Sequence, residues 1–248
     1  MPMDLYGLIG HPLGHSFSRQ FFTDKFESEG LDAQYENFDI PTIEDMMDIV
    51  SSKLDLRGFN VTIPYKQKIM PFLDEVSKEA REIGAVNVVK VERTANTIRL
   101  RGFNSDAVGF RDSITPLLKP HHKKALILGT GGSSKAVDYV LRHKGFETVF
   151  VSRYSRPGTI NYKDIDAEAV KEYEVIVNCT PAGMYPKENL FPLLPYEALT
   201  SKNLLYDLVY NPEQTMFMKK GKASGATVKN GLEMLILQAL ASWEMWHS

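Results

Sequence analysis

The chain has 248 residues, 43% hydrophobic and 24% charged, the balance of a soluble globular protein with one large domain or two small ones. Lys and Arg number 29 against 31 Asp and Glu, a net charge of -2, which argues against a general nucleic-acid or membrane-surface binder. One cysteine, Cys179, excludes an internal disulfide or a Cys-rich zinc site; with no apolar run near the ~18 residues of a membrane span and no signal-peptide pattern at the start, the expectation is a cytoplasmic protein without a metal.

The elements alternate between strand and helix in chain order, which points to an α/β fold. Residues 5–9 read as a strand closing at Gly10, and Ser16 or Ser18 is placed to cap a helix that buries Phe21, Phe22 and Phe26. Residues 35–40 form a second strand, and Thr42 is placed to cap a helix with Ile43, Met46, Met47 and Val50 on one face. Residues 59–63 make a third strand, stopped by Pro64. Residues 86–91 and 97–100 read as a hairpin. A helix over 106–118 follows, then a basic loop at 121–124. Residues 125–128, 148–151, 175–177 and 204–209 are four further strands. At the C-terminus Leu232, Leu235, Ile236, Ala239, Leu240 and Trp243 fall at helical spacing.

The strand at 125–128 runs into Gly129-Thr130-Gly131-Gly132-Ser133-Ser134, a G-x-G-x-x-small turn opening a helix. Gly129 permits the tight turn, Gly131 lets a pyrophosphate approach the backbone, and Ser134 allows close helix–strand packing. The helix N-terminus offers N–H groups and the positive end of its dipole. An ordinary glycine turn is the bland alternative; the strand–turn–helix context favours a dinucleotide. After the next strand the chain reads Ser152-Arg153-Tyr154-Ser155-Arg156, with no acid for a ribose hydroxyl. Two arginines there suit a 2′-phosphate, which selects NADP.

A nicotinamide enzyme acting on a ketone needs a proton donor where the alkoxide develops. Lys66 follows the strand end Asn60-Val61-Thr62-Ile63-Pro64-Tyr65, and Asp106 follows Gly102-Phe103-Asn104-Ser105. Taken singly, either reads better as a solvated surface charge. His11 and His15, with no visible carboxylate partner, read as structural or rim residues, and Cys179 as a packing residue.

Together these segments resemble the shikimate dehydrogenase family. The resemblance runs through Gly10-His11-Pro12 with His15-Ser16-Phe17-Ser18, the highly specific run from Gly58 to Lys66, and Gly84-Ala85-Val86-Asn87. It continues through Gly102-Phe103-Asn104-Ser105-Asp106, the glycine turn, Asn178-Cys179-Thr180-Pro181-Ala182-Gly183-Met184, Asp207-Leu208-Val209-Tyr210-Asn211-Pro212, and Asn230-Gly231-Leu232 with Gln238. It implies an N-terminal α/β substrate domain with a mixed sheet over 1–104 and a Rossmann-like NADP-binding domain over 105–230. A C-terminal helix, 231–248, returns to the first domain, and the active site lies in the cleft between the two.

The implied reaction is reversible NADPH-dependent reduction of 3-dehydroshikimate to shikimate, a step toward aromatic amino acids. Lys66 is implied as general acid/base with Asp106 as its partner. Ser16, Ser18 and Tyr210 would bind the substrate carboxylate, Thr62, Asn87 and Gln238 its ring hydroxyls, and Asn60 would shape the pocket. Gly129, Gly131, Gly132 and Ser133 would carry the pyrophosphate, and Ser152, Arg153 and Arg156 the 2′-phosphate. Thr180, Met184 and Gly231 would line the nicotinamide. The partners implied are small molecules only, for a monomer or homodimer. The chain departs from the family pattern at Arg19, where proline is usual, at Ser105 and Val88, each for threonine, and at Ser152 and Tyr154 in the phosphate loop. The alternatives are an NAD-using quinate/shikimate dehydrogenase, which Arg153 and Arg156 oppose, and a non-catalytic dinucleotide-sensing module, which would have no need of both Lys66 and Asp106.

Overall fold

The computed structural model describes residues 3–14, 17–154 and 157–248. The chain divides into two units, Met1–Ser105 with Gln238–Ser248, and Asp106–Leu237. Residues 231–237, read from sequence as part of the returning segment, therefore group with the second unit.

The first unit is built on β1 (Asp4–Gly10), α1 (Phe17–Glu29), β2 (Ala33–Asp39), α2 (Met46–Ser52), β3 (Leu56–Val61), β4 (Glu75–Val76), α3 (Lys78–Ile83), β5 (Val88–Arg93) and β6 (Ile98–Phe103). Its six strands run in the order β2-β1-β3-β5-β6-β4. β1 is parallel to β2 and β3, while β5 is antiparallel to both β3 and β6, so the sheet is mixed. Both faces are covered. One packs Ile43, Met46, Val50, Leu56, Phe59 and Tyr65. The other packs Phe22 and Phe26 of α1 against Tyr6, Tyr35, Val88, Ala239 and Trp246. Gly58 of β3 is required there, because a Cβ on it would lie 2.3 Å from the Trp246 ring.

The second unit begins with α4 (Asp106–Ile114), then β7 (Lys124–Leu128), α5 (Gly132–His143), β8 (Glu147–Ser152), β9 (Thr159–Asn161), α6 (Ala167–Glu172), β10 (Val175–Asn178), β11 (Leu204–Asp207), α7 (Met216–Ala223) and β12 (Thr227–Lys229). α8 (Leu232–His247) starts in this unit and from Gln238 onward belongs to the first. The strands of the second unit are all parallel, in the order β12-β11-β10-β7-β8-β9. Numbered within the unit, that is the 3-2-1-4-5-6 order of a Rossmann sheet read from its other edge, with its switch point between β7 and β10. β10 and β11 are buried along their whole length, which explains their unbroken apolar runs. Ser134, Val137 and Leu141 of α5 face the sheet at helical spacing.

Several expected boundaries shift. Thr42 does not cap α2: Asp45 turns its carboxylate back to the Thr42 amide at 3.1 Å, and the helix starts at Met46. Met47 is exposed rather than on the buried face. β3 ends at Val61, which leaves Ile63 70% exposed on the loop. The helix expected over 106–118 ends at Ile114 and tightens into a 3₁₀ turn containing Pro116, whose ring cannot donate to an α-helical ladder. His122 of the expected basic loop is buried, its ring between the Lys119 amide and the Lys202 carbonyl. β11 stops at Asp207, two residues early, because the Val209 amide bonds the Asp207 side chain instead of a neighbouring strand. α3, α6, α7 and the strands β4, β9 and β12 were not read from sequence.

Candidate active site

In the first unit the lysine loop leaves β3 under close backbone control. The Thr62 amide bonds Ile9 O at 2.9 Å, the Tyr65 amide closes a turn on Thr62 O, and the buried Tyr65 hydroxyl donates to Ile40 O at 2.7 Å. The Val86 amide donates to Lys66 O at 2.7 Å. The Gly84-Ala85-Val86-Asn87 segment thus grips the backbone of Lys66, whose side chain is half-buried. A Cβ on Gly10 would lie 2.5 Å from Thr62 Cγ2, so the end of β1 packs directly on the same loop.

Beside it lies a chain of neutral hydrogen bonds. Ser242 Oγ donates to Gln238 O at 2.8 Å, so in its 3.0 Å contact with Ser105 Oγ the serine at 105 is the donor. Ser105 Oγ in turn accepts from Asn87 Nδ2 at 3.0 Å, while the Ser105 amide donates to Asn87 Oδ1 at 2.7 Å. This fixes the orientation of the Asn87 amide, with Gln238 Oε1 3.5 Å from Asn87 Nδ2. Asn60 Nδ2 donates to Asn87 O and to Ser242 Oγ, and Asn60 Oδ1 accepts from the Tyr35 hydroxyl at 2.8 Å. Both N–H groups of Asn60 are thereby committed to protein, so it acts on a ligand through the residues it holds. Ser18 hydrogen-bonds the Tyr35 hydroxyl, whose pKa burial raises. Ser18 sits inside the first turn of α1 and is not its cap; Ser16 and His15 lie outside the described residues. His11 does have a carboxylate partner, contrary to the sequence reading: its Nδ1 is 2.6 Å from Asp39 Oδ1, and Asp39 Oδ2 accepts from the Leu13 amide. The Leu13 amide, then His11, hold the Asp39 carboxyl below its ordinary pKa.

In the second unit the glycine turn sits at the C-terminal end of β7. Gly129 has φ +108°, and a Cβ there would crowd Thr180 Cγ2 at 3.1 Å and Cys179 O at 3.3 Å. Gly131 caps α5 without a side-chain bond, and its Cβ would meet nothing within 4 Å. That open cradle beside a helix N-terminus, at the switch point of the sheet, fits the pyrophosphate of a dinucleotide. Gly132 opens α5, and Ser134 Oγ bonds back to Gly131 O at 2.7 Å. Ser133 Oγ donates to Asp106 Oδ2 at 3.2 Å, which ties the buried Asp106 at the start of α4 to the start of α5.

At the end of β8, Ser152 is buried and its Oγ accepts from the Tyr154 amide. Arg153 is exposed, its carbonyl held by Asn161 of β9 and its guanidinium over the Tyr154 ring. Arg156 lies outside the described residues. Past β10, Thr180 is tied to Asn178 by both its amide and its hydroxyl, and Met184 is exposed. Cys179 is a free thiol whose pKa burial pushes up, which suits packing and not nucleophilic work. Tyr210 is half-buried, and burial raises its pKa. Gly231 lies against the Leu208 carbonyl, where a Cβ would come within 2.2 Å.

The first unit therefore assembles Ser18, Asn60, Thr62, Lys66, Asn87 and Gln238. The second holds Asp106, Tyr210 and the described dinucleotide candidates. Sequence reading missed the supports Tyr35 and Ser242 in the first unit and Thr215 in the second, and noted Ser105 only as a departure from the family pattern. It quoted Asn178 and Asp207 only as motif letters. The one local signal was Ser242 four residues after Gln238, on the same helix face.

Residues 8–89 match the family profile described as the shikimate dehydrogenase substrate binding domain. The chain is 36% identical to shikimate dehydrogenase (NADP(+)) of Methanococcus maripaludis strain C7, across 98% of this chain and 90% of that protein. It is 37% identical to the protein of the same name from Carboxydothermus hydrogenoformans, across 98% and 91%. Among solved structures, shikimate 5-dehydrogenase of Thermus thermophilus in complex with NADP(H) and shikimate has a TM-score of 0.85 at 33% identity, covering 98% of this chain and 93% of that one.

Proposed function

Because the chain belongs to the shikimate dehydrogenase family, we propose that Lys66 and Asp106 are its proton-transfer pair and that the first unit's polar cluster reads the substrate. The protein is an NADP-dependent oxidoreductase that interconverts 3-dehydroshikimate and shikimate. The observation that carries the residue assignment is the 2.7 Å bond from the Val86 amide to Lys66 O, which fixes the lysine to the segment bearing Asn87.

In the reductive direction NADPH, held at the glycine turn from Gly129 to Ser133, would supply the hydride to C3. The Lys66 ammonium delivers its proton to the C3 oxygen as negative charge develops there, leaving a hydroxyl and a neutral amine. In the oxidative direction the neutral amine takes that proton back. A carboxylate facing the ammonium favours its charged form, while burial opposes it; this is the role assigned to Asp106. Thr62, Asn87 and Gln238 hold the ring hydroxyls, and Ser16, Ser18 and Tyr210 the carboxylate. Gly129, Gly131, Gly132 and Ser133 would hold the pyrophosphate, Ser152, Arg153 and Arg156 the 2′-phosphate, and Thr180, Met184 and Gly231 the nicotinamide. A cytoplasmic monomer or homodimer is the form assigned, with sedimentation to decide between the two.

The test is a spectrophotometric assay pairing NADP or NAD with shikimate or quinate, run on the wild type and on Lys66→Ala. The expected result is turnover with NADP and shikimate, and a ~10²–10⁴-fold loss of kcat in the variant with little change in substrate affinity. Preference for NAD with quinate would overturn the specificity. A normal kcat in Lys66→Ala would remove the lysine from its role.

A further inference from the structure

The mechanism above makes no use of the most deeply buried carboxylate in the described part of the second unit. Asp207, at the end of β11, is fully buried. Its Oδ1 accepts from Asn178 Nδ2 at 2.9 Å and from the Val209 amide at 3.0 Å. Its Oδ2 accepts from Thr215 Oγ1 at 2.6 Å, and Thr215 Oγ1 in turn accepts from the Met218 amide to cap α7. The bond to Asn178 reaches furthest. Asn178 is itself completely buried, and its Nδ2 also contacts Ala182 O at 3.3 Å. With the amide so oriented, Asn178 Oδ1 is the acceptor for both the amide and the hydroxyl of Thr180, at 3.1 and 2.7 Å. The Thr180 hydroxyl then accepts from the Ala182 amide at 3.3 Å.

We propose that Asp207 is a positioning residue for hydride transfer: through Asn178 it sets the backbone of the turn from Thr180 to Met184. The physical reason is the ambivalence of a primary amide. Asn178 could present either oxygen or nitrogen to Thr180, and only an obligate acceptor behind it selects the oxygen. A buried carboxylate is such an acceptor, and hydrogen bonds to it are stronger than neutral ones. Its second contact, to the Val209 amide, sets the start of the run leading to Tyr210, so one side chain fixes two segments assigned to ligands. A purely packing role would not need three donors converging on one side chain. The inference rests on the reading that Thr180 and Met184 face the nicotinamide.

Amide hydrogen exchange on the free protein tests the turn directly, and the deuterium isotope effect with NADPH labelled at the transferred position tests the chemistry. In Asp207→Ala the Thr180 and Ala182 amides are expected to exchange about tenfold faster relative to the β10 amides. The isotope effect on kcat should rise, since a loosened turn makes hydride transfer more rate-limiting, and KM for shikimate should stay within about twofold. In Asp207→Asn the Val209 amide, which can only donate, turns the new amide oxygen toward itself and Asn178, so an acceptor is kept there and both readouts should be restored. Thr215→Val should lower the melting temperature without moving either, which separates positioning from bulk stability. If Asp207→Ala does not fold, Asn178→Ser cuts the same link from the other end and is read in the same way. Wild-type exchange at Thr180 and Ala182 in the folded variant would overturn the proposal, as would an unchanged isotope effect. Absence of shikimate-dependent NADP reduction in the wild type would instead strike the functional reading, and leaves the exchange result to decide the role of Asp207 in the turn.

Discussion

The two units solve the same problem with different chemistry. Each must hold loops at the ends of its strands through buried polar side chains. The first unit does so with neutral groups: Tyr35, Asn60, Asn87, Ser105 and Ser242 pass hydrogen bonds along a line. The second concentrates the work on one carboxylate, Asp207, on which Asn178, Val209 and Thr215 converge. A line of neutral bonds can lose one link and keep the others, whereas a hub fails as a whole and carries the cost of burying a charge. The neutral line suits a site that must recognise a polyhydroxylated ring by donors and acceptors of fixed sense. The charged hub suits a turn whose backbone must stay still.

That contrast is sharpest in stability. Asp207→Ala should be the most destabilising of the variants, by about 3 kcal/mol, because three buried donors lose their acceptor at once; urea unfolding measures it. Ser242→Ala should cost about 2 kcal/mol by leaving the Ser105 hydroxyl and one Asn60 N–H without an acceptor. It should also raise KM for shikimate through Asn87 while KM for NADP holds. Tyr35→Phe removes the links to Asn60 and to the half-buried Ser18 but strands no fully buried donor, and should cost about 1 kcal/mol. Should the losses in Ser242→Ala and Tyr35→Phe match that of Asp207→Ala, the distinction between line and hub would collapse.

The hub also differs from the line in its response to pH. Burial pushes the Asp207 carboxyl up to about 6 from its ordinary 3.8, against the pull of Thr215, Val209 and Asn178. The folded state then holds this proton more tightly than the unfolded chain. The resulting stabilisation is complete below 3.8 and is lost as the pH rises through about 6. Asp207→Asn lacks this titration, so its stability relative to wild type should improve as the pH rises across that interval. A flat difference would mean that the hub carries no burial penalty.

Much of the fold was legible because parallel strands buried on both faces leave unbroken apolar runs, as in β7, β10 and β11. The glycine turn was legible because its backbone has few alternatives, with Gly129 at φ +108°. The short strands β4, β9 and β12 have two or three residues each, too few for a period to register. The supports were hidden for a different reason. Ser105 and Ser242 are 137 positions apart in sequence, and nothing local to either announces the other. His11 and Asp39 met for the same reason: β1 and β2 lie side by side, with Gly10 opposite Asp39.

The packing of α8 on the first sheet gives the molecule a built-in optical gauge. The chain has two tryptophans, Trp243 and Trp246, and both fall in the stretch of α8 that belongs to the first unit. Trp246 donates its indole N–H to Val89 O at 3.1 Å, and its ring centre lies 4.8 Å from that of Tyr6. Indole emission therefore tracks unfolding of the first unit alone, while the helices distributed over both units report together in the far ultraviolet. Superimposable denaturation curves from the two signals would mean that both units melt in one cooperative step. An emission change that leads or lags would time the first unit separately, with no label attached to the protein.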